Sequence, residues 1–262
     1  MNIICCIKQV PSTETKIRLN PQTGLVDTTE VEWVINPYDE YALELGLRIR
    51  ETLGNGRITA ISLGPERVKM ALRTALAMGV DEAVHIWDED FEGIDGLAIG
   101  RVLAAAIRKM EFDLVLTGKQ AIDDDLAWVP QAIAHFLGIP HCAVVPEVEL
   151  DRREQGEIVA HREVEGATEM VHLRLPGLLT VQKGKFQPRY PTLKLMMAAK
   201  KKEIPVWDKN VLGIEPGQLT RQVQCLGHRM PPERKPGRIL EGELTQVVPE
   251  LVRLLHTEAK VV

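Results

Sequence analysis

Asn2 to Ile7 is an unbroken apolar run, the pattern of a strand covered on both faces inside a parallel sheet. A polar stretch follows. Tyr38, Ala42, Leu45 and Ile49 then recur at the period of an amphipathic helix, and Asn36-Pro37 supplies its start. Ile58 to Leu63 reads as a second buried strand, broken by Gly64-Pro65 before Val68, Leu72, Ala75 and Leu76 mark a second helix. The strand pattern returns at Ala83 to Trp87, the helical one at Leu97 to Met110, and a further strand runs from Asp113 to Thr117 and ends at Gly118. Three strand-helix units in succession predict an α/β fold built on a doubly wound parallel sheet, of Rossmann-like type.

From Cys142 the pattern changes. CAVVPEVEL, GEIVAHREV and EMVHLRL alternate polar and apolar positions between short turns, which predicts a region of antiparallel β-hairpins. Beyond Lys202 come Pro205, Pro216, Pro231, Pro232 and Pro236 with several glycines, and a last helical pattern spans Leu244 to His256. The expected organisation is an α/β domain with its hairpins over residues 1–202 and an extended C-terminal arm over 203–262 that packs on another protein.

Composition narrows the function classes. The 262 residues are 45% hydrophobic, enough for a sizeable core, and 26% charged with a formal net charge of −5, so a nucleic-acid surface is not expected. The N-terminal run is too short and lacks the basic flank of a signal peptide, and no apolar stretch reaches the ~20 residues of a membrane span. A cytoplasmic protein without direct membrane insertion is expected. The four cysteines show no CxxC spacing, and the adjacent Cys5 and Cys6 of the first strand point to opposite faces as two small buried side chains. His141-Cys142 is too few ligands for a metal.

One segment carries candidate chemistry: DLVLTGKQAIDDD, Asp113 to Asp125, where a buried strand ends in glycine and a polar loop leads into a helix holding Val129, Ile133 and Phe136. Ligands of open α/β sheets bind at the carboxyl ends of strands, where helix N-terminal amides favour phosphate. Two readings stand for Asp123 to Asp125: caps of the following helix, or the border of a nucleotide site whose phosphates meet backbone amides, Lys119 or Gln120. Gly54-Asn55-Gly56 precedes a strand and is a turn; there is no P-loop, no GxSxG elbow and no catalytic constellation.

Five segments, CIKQVP (Cys6 to Pro11), NPYDEYALE (Asn36 to Glu44), RTALAMGVDEA (Arg73 to Ala83), GKQAIDDD (Gly118 to Asp125) and PRYPTL (Pro188 to Leu193), occur in an order and spacing by which the chain resembles electron transfer flavoprotein β subunits. The likeness extends through Arg162, Glu165, Gly166, Glu169 and Pro176, with Ala167 departing from the usual Gly or acidic residue. The resemblance implies a heterodimer with an α subunit that holds most of one FAD, and an AMP or a second FAD on this chain. The implied nucleotide positions are Cys6; Asn36, Pro37, Tyr38 and Asp39; Leu63; Gly118, Lys119, Gln120, Ala121, Ile122 and Asp123; then Asp124, Asp125, Leu126, Ala127, Trp128 and Val129. It further implies that Arg189, Tyr190, Pro191, Thr192 and Leu193, with Lys194, Leu195, Met196, Met197 and Ala198, grip flavin-containing dehydrogenases such as acyl-CoA dehydrogenases, Leu193 being the anchor. The alternative for Leu193 is the buried face of a short helix.

The expected role is thus an electron carrier that is not an enzyme by itself. CIKQVP, NPYDEYALE and EIPV resemble bifurcating relatives, in which the site holds a second FAD that takes hydride from NADH. Asp124 stands where those usually have Gly and favours AMP. A free-standing domain of universal-stress type is a third reading, against which the β-rich region and the C-terminal arm argue.

Overall fold

The computed structural model describes residues 1–150, 156–233 and 236–262. It resolves into two compact units: Met1–Arg18 with Asp27–Leu226, and Leu19–Val26 with Gly227–Val262. The expected arm began at residue 203; the boundary between the units falls after Leu226, and 234–235 of the arm lie outside the described residues.

The first unit is built on a seven-stranded, wholly parallel sheet. Its strands in chain order are β1 (Asn2–Cys6), β4 (Arg57–Leu63), β5 (Glu82–Ile86), β6 (Leu114–Gly118), β7 (His141–Val145), β11 (Gly177–Val181) and β12 (Val206–Trp207). Across the sheet the order is β12-β5-β4-β1-β6-β11-β7. From β1 the chain winds outward through β4 to β5, then returns to place β6 on the other side of β1. The fork between β1 and β6 is therefore the switch point of the fold.

Helices α1 (Pro37–Leu53) and α2 (Val68–Met78) cover one face, where Ile3, Cys5, Ile58 and Leu116 are buried against them. The opposite face, with Ile4, Cys6, Ile61 and Val115, packs against α3 (Gly96–Ile107) and α4 (Val129–Leu137). Double coverage is what the continuous apolar strands required. The adjacent thiols of Cys5 and Cys6 fall in separate cores, and burial pushes both pKa values up, which leaves them unreactive.

The hairpin region holds one correction. Antiparallel pairing holds for β8 (Glu147–Glu149), β9 (Glu157–Val164) and β10 (Ala167–Arg174). The Cys142 segment instead forms β7, parallel to β11, because α4 carries the chain across the sheet before it. β11 itself slips between β6 and β7, a place no local pattern announces. A small antiparallel ribbon, β2 (Gln9–Pro11) with β3 (Trp33–Ile35), links β1 to α1.

After β11 comes α5 (Leu193–Lys201), capped by the Thr192 hydroxyl accepting from the Leu195 N–H and packed on α2. β12 then pairs with β5, and the short helix α6 (Lys209–Leu212) buries Leu212 beside Ile214 and Leu219 in the second core. In the other unit, α7 (Leu244–Leu254) follows the expected periodicity and leaves Leu244, Val248, Leu251 and Val252 exposed.

Candidate functional site

The β1–β6 fork opens into a pocket. Cys6, Thr117 and Gly118 form its floor, Leu63, Ile99, Leu103, Val129 and Ile133 its apolar walls, and Lys8, Asn36, Gln120, Asp124 and Leu126 stand round it. Gly96 and Gly100 allow those walls to meet, since a Cβ on Gly100 would lie 2.7 Å from that of Ala132 and one on Gly96 2.9 Å from the Trp128 ring. Without side chains there, α3 and α4 approach closely enough to bring Ile99 and Leu103 opposite Val129 and Ile133.

Two residues at the start of α1 hold the fork together. The Asp39 carboxylate, 5% exposed, accepts from the backbone N–H of Lys8 at 2.7 Å and from that of Gly118 at 2.8 Å, joining the ends of β1 and β6. Burial pushes its pKa up to about 7, against the opposing pull of these two donors, the Asn36 side chain and the Lys8 charge. Asn36 occupies the cap position of α1 but spends its side chain on the loop after β6: Nδ2 donates to the Gln120 carbonyl at 2.9 Å and Oδ1 accepts from the Ile122 N–H at 3.2 Å.

That loop is strained. Asp125 and Ala127 take φ of 50° and 52°, left-handed values that disfavour L side chains by ~1–2 kcal/mol per residue. Gln120 Nε2 on Asp125 Oδ1 at 2.7 Å and the Asp125 N–H on the Ala121 carbonyl hold the turn. Backbone strain of this kind clusters at ligand sites.

Lys8 meets three aspartates. Its N–H serves Asp39, while its ammonium binds Asp123 Oδ1 at 2.7 Å and Asp124 Oδ2 at 2.8 Å. Burial alone would lower its pKa; the hydrogen bonds and charges of the two aspartates more than offset that and raise it. Asp124 Oδ1 accepts in addition from the Leu126 N–H.

Of the positions implied by resemblance, Cys6, Asn36, Asp39, Leu63, Gly118, Gln120, Ala121, Asp124, Leu126, Ala127 and Val129 line this one pocket. Pro37, Tyr38, Lys119, Ile122, Asp123, Asp125 and Trp128 do not line it but neighbour lining residues along the chain; the Lys119 ammonium sits 5.3 Å over the Tyr38 ring. The sequence reading missed Ile7, Lys8, Ile99, Leu103, Thr117, Pro130 and Ile133. For Ile7, Lys8 and Thr117 a signal existed, since they stand at the carboxyl ends of the two strands flanking the switch point. The α3 residues carried none, because only packing decides which face of a helix borders a crevice.

The segment from Arg189 to Ala198 lies apart from the pocket. Arg189 Nε donates to Glu44 Oε2 at 2.8 Å and its Nη1 to Glu51 Oε1 at 2.6 Å, fixing the segment to α1. Beyond it Tyr190 is 93% and Leu193 76% exposed, with Met196 and Met197 exposed alongside. Leu193 is thus on the open face of α5, and Ala199 is the buried contact.

A doubly wound sheet with a mostly apolar pocket at its switch point defines an open α/β protein with its crevice where such sheets bind ligands. The electron transfer flavoprotein domain matches residues 23–212. Over the whole of both chains the protein is 37% identical to electron transfer flavoprotein subunit beta of Bacillus subtilis, and it is 39% identical to that of Thermoanaerobacterium thermosaccharolyticum over 98% of each. It is also 34% identical to the caffeyl-CoA reductase-Etf complex subunit CarD of Acetobacterium woodii over 92% of each. The chain belongs to the electron transfer flavoprotein family, as a subunit beta. The family implies flavin in the working complex, and the subunit implies an alpha partner. Among the described residues no cluster fit to hold a metal ion occurs, and no helix is long and apolar enough to cross a membrane.

Proposed function

We propose that this chain holds AMP in the β1–β6 pocket and, paired with an alpha subunit carrying most of one FAD, forms a cytoplasmic carrier that takes electrons from flavin-containing dehydrogenases such as acyl-CoA dehydrogenases to a downstream acceptor. The observation that carries the reading is the pocket itself: apolar walls of the kind that accept a base, a floor at Thr117 and Gly118 where β6 ends, and the N-terminus of α4 at its edge.

Asp124 supports the smaller ligand. Its carboxylate borders the pocket and is fixed from both oxygens, by Lys8 at 2.8 Å and by the Leu126 N–H at 3.2 Å, so it cannot swing aside at no cost. A flavin held by the alpha subunit supplies the one- and two-electron chemistry. This chain's part is to bind the nucleotide, to keep the fork rigid through Asp39 and Asn36, and to present Leu193 and its neighbours to the dehydrogenase. Of the expected arm over 203–262, the residues from Gly227 onward, which form a separate unit with Leu19–Val26, are the part that packs on the alpha subunit, while β12 and α6 stay with the first unit.

The segments CIKQVP, NPYDEYALE and EIPV support a second reading, bifurcation with a second FAD in place of AMP. Releasing the nucleotides from purified heterodimer separates the two: one FAD and one AMP per dimer is expected, and two FAD without AMP would replace the first reading with the second. Asp124→Gly is expected to relax the site toward the larger cofactor.

A further inference from the structure

Asp39 and Asp124 line a pocket that on the nucleotide reading receives a phosphate, with Asp123 and Asp125 beside it, and the arrangement around Lys8 bears on that conflict. Asp125 is engaged by Gln120 and does not line the pocket. Asp123 and Asp124 share one ammonium, at 2.7 and 2.8 Å, and Lys8 and Asp124 both line the pocket. Arg67, stacked 3.6 Å over the Trp33 ring, adds a more distant positive charge felt by Asp123. Neither Lys119, committed to the Tyr38 ring, nor Arg67 lines the pocket.

Resting on the nucleotide reading above, we propose that Lys8 is the counter-ion that makes the 123–125 loop compatible with a nucleotide phosphate, acting by neutralising Asp123 and Asp124. Lys8 is a positioning and charge-compensating residue here, not one that grips the phosphate itself. A phosphate monoester close to two uncompensated carboxylates is repelled, and an ammonium shared between them cancels much of that field at short range. The pair is half exposed, so its effect is sensitive to salt.

The test uses the heterodimer stripped of endogenous nucleotide and titrated with AMP. Lys8→Met is expected to weaken AMP at least ~10-fold, with the loss shrinking as ionic strength rises from about 0.05 to about 0.5 M. Neutralising the aspartates should remove the need for the lysine, so Lys8→Met combined with Asp123→Asn and Asp124→Asn is expected to recover AMP affinity to within ~3-fold of the unaltered protein. Asp123→Asn with Asp124→Asn, Lys8 being intact, is expected to bind AMP no more weakly than the parent and keeps the question answerable if the lysine variant folds poorly.

A triple variant as weak as Lys8→Met alone would overturn the proposal in favour of direct phosphate contact by Lys8. AMP affinity unchanged in a folded Lys8→Met heterodimer, or weakened in the two-aspartate variant, would overturn it as well. Failure of the unaltered heterodimer to bind AMP would overturn the nucleotide reading, and this proposal with it.

Discussion

Asp39 accepts the backbone N–H of Gly118 at 2.8 Å, and a Cβ at position 118 would fall 2.4 Å from the same carboxylate oxygen and 2.7 Å from the Tyr38 Cβ. The φ of Gly118 is not in the left-handed region, so the requirement is for space alone. Gly118→Ala must push the start of α1 away from β6. Overpacking of this kind costs about 2 kcal/mol. A drop of several degrees in Tm with loss of bound nucleotide is expected, and retention of both would show that the fork can widen freely.

The same carboxylate gives a pH dependence. With its folded-state pKa pushed up to about 7 from an ordinary 3.8, Asp39 binds its proton more tightly folded than unfolded. Its stabilising contribution is therefore fully present below the lower value and lost as pH rises through the upper one. Urea midpoints measured from pH 4 to pH 8 are expected to fall by more in the unaltered protein than in Asp39→Asn. Parallel profiles would mean that Asp39 does not titrate in this range.

Arg189 ties the exposed segment to α1 through Glu44, whose side chain is only 3% exposed, and through Glu51. Burial alone would raise Glu44, but hydrogen bonds from Arg189 and Arg48 hold it below its usual range, and Arg189 does the same for Glu51. Arg189→Met leaves Glu44 with Arg48 alone, at 2.9 Å. A loss of about 1 to 2 kcal/mol is expected after allowing for the part-exposed guanidinium. Chemical denaturation measures it, and more rapid proteolysis near Tyr190 should accompany it.

Leu193, 76% exposed on α5, contributes little to the core. As an interface anchor it would supply about 2 kcal/mol or more. Leu193→Ala is expected to weaken dehydrogenase binding about 30-fold through faster dissociation, with Tm unchanged. A lowered Tm with intact affinity would assign the residue to the fold instead.

Ending the chain at Leu226 removes residues 227–262, most of the second unit, and spares β12 with the buried Leu212, Ile214 and Leu219. The truncated chain is expected to keep cooperative unfolding but lose assembly with the alpha subunit. Ending it at Lys202 instead strips the edge strand and those three core residues, and should lower Tm as well. Normal assembly of the shorter chains by size-exclusion chromatography would remove the arm's role.

Local pattern alone determined the framework. β1, β4, β5 and β6 announce themselves as short apolar runs because a doubly covered strand must be apolar on both faces, and α1 to α4 carry the helical period because each buries one stripe. The glycine ending β6 with its polar loop pointed to the place where the fold opens a pocket, since strand ends at a switch point are where crevices form. The exposure of Leu193 could not be read from its spacing, which fits a buried helical stripe equally well.

What the tertiary structure decided was everything that depends on which ends meet. β7 reads like a hairpin strand, and only the α4 crossover makes it parallel; β11 enters the sheet between two earlier strands, an insertion no nearest-neighbour pattern encodes. Lys8 lies over a hundred positions from Asp123 and Asp124 along the chain, yet within hydrogen-bonding distance of both in the fold. Sequence supplied the charges. Their pairing, and with it the character of the pocket, came from the sheet order that sets β1 beside β6, because a charge acts over ångströms and the chain brings such partners together only when its strands are in register.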